Sequence, residues 1–274
     1  MLSMISNAVS LSAQKNLART QLSLAGNLGR LSSGQRINTA ADDAAGLGIS
    51  ERLKAQIRSL SQAERNAQDG LSMTQIADGA MNEQSGILTR LRELAVESAN
   101  GSLGSSERTY IQTEADQLVQ ELDNISSQTA FNNINMISAG APSMEFQVGI
   151  QNGDIVTVGF ISSDAASLGV DALDYSSAAS SSTALDTLDA AIDTLSTARA
   201  TIGASQNRLQ VSLQNLATAH ENLSAANSRI RDVDVAEETS AMTRNQILSQ
   251  AGVAVLAQAN QLPQAALSLL GAGR

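Results

Sequence analysis

The chain has 274 residues, with 17 Lys and Arg against 27 Asp and Glu, giving a formal net charge of −10 and a pI near 4.5. An acidic chain without a basic cluster excludes nucleic acid as the partner, because neutralising phosphates takes grouped Lys and Arg. There is no cysteine, which excludes disulfides, thiolate metal sites and thiol nucleophiles, and no run approaches the roughly 18 apolar residues of a membrane span.

The first 31 residues read as a weakly amphipathic helix with Leu17, Leu24, Leu28 and Leu31 near one face. Its opening, MLSMISNAVSLSAQKN, has neither the basic start nor the apolar run of a secretory signal. The stretch SSGQRINTAADDAAG (32–46) breaks the pattern and reads as a connector, with a helix starting near Thr39 or Ala40. Asp42 and Asp43 are adjacent, do not face one another, and read as first-turn carboxylates favoured by the helix dipole. From Gly46 a long helix is predicted to about Ala99, stopped by Asn100-Gly101. Within it, ILTRLRELAVESAN (87–100) carries a stripe of Ile87, Leu91 and Leu94. At about 100° per residue, Arg90 and Glu97 lie beside that stripe with Leu94 on the border. Arg90, Leu94 and Glu97 are therefore expected to face outward, as a surface for a neighbouring molecule.

Ser105 or Ser106 caps the next predicted helix, with Glu107 in its first turn and a stripe of Ile111, Ala115, Leu118, Leu122 and Ile125. MEFQVGIQNGDIVTVGF (144–160) alternates apolar and polar residues about Asn152-Gly153 and is read as a β-hairpin. Residues 161–182 are Ser, Ala and Asp rich and are read as loop. Over 183–230, Leu188, Leu195, Ile202, Leu209, Leu216, Leu223 and Ile230 recur every seven residues. A companion seam runs through Leu185, Ile192, Arg199, Gln206, Leu213, His220 and Asn227. After RIRDVDVAEE (229–238) a last helix carries Leu248, Ala251, Val255, Ala259, Leu262, Ala266 and Leu269, with a kink or restart expected at Pro263.

The expected fold is mostly α: a long antiparallel helical coiled-coil or bundle rod with one small hairpin, its N- and C-terminal helices paired. All five aromatics lie between 110 and 175. The terminal pair thus lacks anchors and is expected to finish its core against other copies. No chemistry stands out. His220, the only histidine, sits at a core-type position and sets register. Gly46-Leu47-Gly48 follows no strand and precedes no Lys-Ser/Thr, so it is no phosphate loop. No catalytic set, metal site or cofactor is expected.

Several blocks resemble bacterial flagellins in the family's order. They are SSGQRINTAADDAAGLGIS (32–50), RLRELAVESAN (90–100), FQVGIQNGDIVTV (146–158), ENLSAANSRIRDVDVAEE (221–238) and NQILSQAGVAVLAQANQLPQAALSLL (245–270). The resemblance implies a subunit that polymerises into the flagellar filament and enables swimming. Its implied domains are an inner one of residues 1–45 and 231–274 and a rod of 46–230, with no outer domains. It also implies secretion through the flagellar type III channel into an extracellular filament. The implied partners are other copies, cap and junction proteins, and an export chaperone. The chaperone would share the terminal assembly face of Leu248, Ala251, Val255, Ala259, Leu262 and Leu269. Further implied is recognition by an animal Toll-like receptor through Arg90, Leu94 and Glu114. Competing readings are a hook–filament junction protein and an intracellular coiled-coil scaffold.

Overall fold

The computed structural model describes the backbone of residues 7–271 and the side chains of residues 7–261. The chain runs α1 (Ala8–Ser33), α2 (Ala44–Ser98), α3 (Ser105–Gln128), β1 (Ala130–Phe131), β2 (Ile134–Asn135), β3 (Ser143–Gln147), β4 (Ile155–Gly159), α4 (Ala165–Leu168), α5 (Ala178–Arg231) and α6 (Val235–Gly271). It forms two compact units, one of residues up to Ala55 with those from Asn222 onward, the other of Gln56–Glu221.

The unit of residues 56–221 has a continuous aliphatic core shared by α2, α3, α5 and the β3–β4 hairpin. Leu88, Leu91, Leu122, Leu188 and Leu209 are fully buried. The heptad Leu188, Leu195, Ile202, Leu209 and Leu216 is buried as its period predicts. The expected companion seam is only half-buried at every position from Leu185 to Asn227. Its place is taken by Ala184, Ala191, Ala198 and Ser205, one residue earlier in each heptad. Small side chains let a neighbouring backbone approach, so the narrow flank of α5 goes inward and the longer flank stays at the rim. Arg92 pairs with Asp189 at 2.6 Å and Arg199 with Asp78 at 3.0 Å along that rim.

The hairpin pairs Met144 with Val158 and Phe146 with Val156, in the expected alternation. Its turn is wider than Asn-Gly alone. Residues 148–154 loop out, closed by Val148 N donating to the Asp154 carbonyl and by the Asp154 carboxylate accepting from Gln151 N. Phe146 lies against Gly70, where a Cβ would meet the ring at 3.0–3.2 Å. A second hairpin, β1–β2, turns on Asn132 and Asn133, both at positive φ (49° and 62°). Two adjacent asparagines suit that left-handed turn.

Residues 161–182 are not simply loop. Asp164 caps the short α4, and α5 begins at Ala178, with the Ser177 hydroxyl accepting from Ser180 N. Between them Tyr175 is fully buried and its hydroxyl donates to the Leu91 carbonyl. Burial, with Asp116 nearby, pushes its phenol up to about 12. At the start of α3 the cap residue is Gly104 rather than a serine, and Ser105 is the first helical residue.

Candidate functional site

The unit containing the chain ends is built differently. α1 and α6 lie antiparallel, and the faces that meet mix polar residues with small and aliphatic ones such as Leu17, Leu24, Gly252, Leu256 and Ala259. Asn7 Nδ2 donates to the Ala259 carbonyl, Ser10 Oγ donates to Asn260 Oδ1, and Arg30 pairs with Glu238 at 2.8 Å. Leu17 packs on Gly252 in the middle. Many of the large apolar residues nevertheless face away from this seam. Val9, Leu11, Leu22 and Leu28 of α1, and Ile247, Leu248, Val253 and Val255 of α6, are all at least half exposed.

Leu248 and Val255, and with them Ala251, therefore lie on an open face of α6. Ala259 does not. It is 3% exposed and sits in the seam against α1. The run Ala251, Val255, Ala259 advances by fours, and each step turns about 40° past a full turn, so the stripe drifts from the open face into the seam. The side chains of Leu262 and Leu269 lie outside the described residues. The helix itself continues through Pro263 to Gly271 without a restart.

The two connectors are clasped together next to this pair. Gln35 bridges Asp232, Arg36 N donates to the Arg231 carbonyl at 2.7 Å, and Val233 N donates to the Gly34 carbonyl. The Arg36 side chain caps the end of α5 through the Ile230 carbonyl, while Arg231 reaches Gln35 and Glu51. Gly34 makes the turn possible at φ 71°. α2 starts at Ala44, so Asp42 and Asp43 precede it and are not in its first turn. Asp43 Oδ1 accepts from Gly46 N and caps the helix. Asp42 accepts from Thr39 N, Thr39 Oγ1 and Asn38 N, which holds its carboxyl below the usual range. Residues 38–43 thus form a locked turn where an extra helical turn was expected. Asp234 likewise caps α6 by accepting from Ala236 N and Glu237 N.

In the other unit, Arg90 and Glu114 meet. Arg90 Nε and Nη2 both donate to Glu114 Oε1, at 2.9 and 2.7 Å, and Nη1 donates to Glu93. These bonds, Glu114 foremost, raise the guanidinium above its ordinary value. Glu97 is exposed. Leu94, placed outward from the sequence, is 1% exposed and belongs to the core. Leu88, Leu91 and Ala95 are buried with it, whereas Ile87 is only half-buried. The buried stripe therefore lies closer to Leu94 than to Ile87. The sequence reading missed Glu93, whose spacing of three from Arg90 was the available signal. Among the described residues no group of three potential ligands could hold a metal, and no helix is long and apolar enough to cross a membrane. His220 is half-buried on α5.

Two family models match. The bacterial flagellin N-terminal helical region matches residues 5–141, and the bacterial flagellin C-terminal helical region matches residues 185–270. The chain is 44% identical to the flagellar filament 33 kDa core protein of Treponema phagedenis, covering 96% of this chain and 98% of that protein. It is 42% identical to a flagellin of Halalkalibacterium halodurans, over 88% and 89% of the two chains. The crystal structure of Bacillus cereus flagellin superposes with a TM-score of 0.52 at 31% identity, covering 56% of this chain and 88% of that one.

Proposed function

Because the chain belongs to the bacterial flagellin family and is a structural subunit of the flagellar filament, we propose that it polymerises by burying the open apolar faces of α1 and α6 against other copies. The observation that carries this is the amount of large apolar surface that the terminal pair leaves open. Its inner seam is held by the bonds of Asn7, Ser10, Arg30 and Glu238 and by Leu17 on Gly252, while Leu22, Leu248 and Val255 are exposed at 76%, 50% and 54%. Apolar surface of that extent on a helix pair is removed from water only by a neighbour. In this reading residues 1–45 and 231–274 act as the inner domain and residues 46–230 as the rod domain. The role is structural, without a catalytic step.

Seeded elongation tests it. Leu248→Asp with Val255→Asp is expected to leave the monomer soluble with its helicity intact and to stop extension of filament seeds. Extension at the native rate would remove this face from the contact. A hook–filament junction protein differs in the same assay, since native protein of that kind would not extend seeds. Arg90, Glu97 and Glu114 form a second contact on the 56–221 unit, with Leu94 supporting it from beneath. Arg90→Glu is expected to slow elongation without changing the monomer's circular dichroism.

The same exposed face of α6, with Leu262 and Leu269 further along the chain, suits an export chaperone in the cytoplasm before secretion through the flagellar type III channel. Cap and junction proteins would meet the ends of the polymer. Immunogold labelling of intact and permeabilised cells tells an extracellular filament from a periplasmic one. Arg90 and Glu114 are also the exposed residues an animal Toll-like receptor would read. Loss of receptor activation in Arg90→Asp, with folding unchanged, is the expected result.

A further inference from the structure

Asn-Gly occurs twice in the chain, at Asn100-Gly101 and at Asn152-Gly153, and both asparagines are exposed. Such a pair can react with itself. The glycine nitrogen and the asparagine Cγ are placed to close a five-membered ring, and a residue without Cβ lets them approach. Hydrogen bonds that hold these atoms in place oppose the reaction. The structure separates the two pairs on this point. Asn100 is held throughout. Its Oδ1 accepts from Ser102 N at 3.2 Å, its N donates to the Glu97 carbonyl, and its carbonyl accepts from Leu103 N and from Arg108 Nη2. Around Asn152 the neighbours are held and the pair is not. Gln147 Nε2 donates to the Gly149 and Gln151 carbonyls at 3.0 and 2.7 Å, and Asn66 Nδ2 of α2 donates to the Gln147 carbonyl. Asp154 closes the loop from the other side through Gln151 N and Val148 N. Between these anchors no described residue bonds the Asn152 carboxamide or the Gly153 N–H. Gly153 stands at φ 94°, with nothing within 4 Å of where a Cβ would lie.

We propose that Asn152-Gly153 is a self-modification site, where water and the chain itself convert the asparagine to aspartate and isoaspartate. The Gly153 nitrogen attacks Asn152 Cγ. The new N–Cγ bond replaces the Cγ–Nδ2 bond, and Nδ2 leaves as ammonia with the proton that the Gly153 nitrogen gives up. One water then opens the resulting succinimide, and no electrons are gained or lost. Opening at Cγ restores the main chain and leaves a side-chain carboxylate. Opening at the main-chain carbonyl leaves the chain running through Cβ and Cγ, with the α-carboxylate free. Either product adds one negative charge at the hairpin tip, where Ser59, Gln62 and Asn66 of α2 line a groove with the loop. The second also adds a carbon to a loop whose ends Val148 and Asp154 pin together. A copy that persists is thereby marked by its age, at a tip where covalent change is well tolerated.

The test needs the full chain alone, so it stands apart from the filament reading. Native protein is aged at neutral pH in buffer and, in parallel, in denaturing urea. Peptides covering positions 100 and 152 are then read by mass spectrometry, with the aspartyl and isoaspartyl forms separated by chromatography. In the folded chain, conversion at 152 should run severalfold ahead of conversion at 100, and urea should bring the two rates together, because the bonds that hold Asn100 are gone. Asn152→Gln should lose the signal at 152 and leave the peptide at 100 as it was. Gly153→Ala should slow conversion at 152 severalfold in urea, where the shape of the folded turn plays no part and the added methyl alone obstructs the attack. A folded chain that does not convert at 152, or that converts at 100 as fast as at 152, overturns the proposal.

Discussion

Leu94→Ala separates the outward position expected from the sequence from the inward one in the structure. Leu94 is 1% exposed within the aliphatic cluster of the 56–221 unit. Truncation removes about three carbon groups at roughly 0.8 kcal/mol each. The cavity left behind brings measured Leu→Ala losses to about 2.7–5.0 kcal/mol, and a value near 3.5 kcal/mol fits a site this enclosed. For a unit of this size a melting midpoint moves by roughly 2–4 °C per kcal/mol, so a fall of about 7–14 °C is expected. The assay is thermal circular dichroism of monomer, with Glu97→Ala as the exposed control that leaves the midpoint in place. A Leu94→Ala midpoint within about 2 °C of native would refute the reasoning, because no fully buried leucine is lost so cheaply. The consequence for assembly follows. Any polymerisation or receptor defect of Leu94→Ala reports damaged folding, whereas that of Arg90→Glu reports the surface.

Three further outcomes follow from local geometry. Gly86 has nothing within 4 Å of a built Cβ, so Gly86→Ala should stabilise by roughly 0.5–1 kcal/mol through helix propensity, whereas Gly70→Ala presses on the Phe146 ring and should lower the urea midpoint. The Asp42 carboxyl is lowered from 3.8 by its bonds to Thr39 and Asn38, so its contribution is complete above 3.8 and is lost as pH falls through the lower folded value. Amide exchange at Asn38 and Thr39 should stay slow down to that pH, and Asp42→Asn should quicken it at neutral pH. The Tyr175 phenol is raised from 10.0 to about 12, so the stability it confers is intact below 10.0 and fades as pH rises toward 12. Urea midpoints of Tyr175→Phe should lie below native at neutral pH and lose less across that alkaline window.

What the sequence revealed and what it hid divide along physical lines. The Leu188–Leu216 heptad, the Ile111–Leu122 stripe and the β3–β4 alternation were legible because each puts large apolar residues at the period of its element. The inward flank of α5 was not, because Ala184, Ala191, Ala198 and Ser205 carry almost no hydrophobic signal and are chosen for size. Leu94 was misplaced because a stripe drawn through Ile87 sets the wrong centre when a helix is enclosed on two sides. Tyr175 lies in a Ser- and Asp-rich stretch whose composition says loop. Only the tertiary partners, the carbonyl of Leu91 and the side chain of Gln112, draw it inside. Asn132-Asn133 was readable as a left-handed turn and was passed over. On α6, periodicity located an apolar face correctly in Leu248 and Val255 but could not say that the partner helix would take the other side.

That choice of side decides how the protein divides its stability. A seam hydrogen bond such as Ser10–Asn260 contributes a net of about 0.5–1.5 kcal/mol, because water competes for the same groups. A large aliphatic side chain moved from exposure to full burial contributes about 1.5–3 kcal/mol. Were Ile247, Leu248, Val253 and Val255 turned toward α1, the pair would be stable in isolation and would offer a neighbour little. Turned outward, they leave the pair dependent on modest polar bonds and a few aliphatic contacts such as Leu17 on Gly252, while their own contribution is released only when another copy covers them. The stability of the terminal unit then rises with subunit concentration, as for any fold completed by its partner. The 56–221 unit, with its core already closed by Leu91, Leu94, Leu188 and Leu209, is independent of it. Dilution of a polymer should therefore melt the terminal helices at the point of subunit release, and leave the other unit folded.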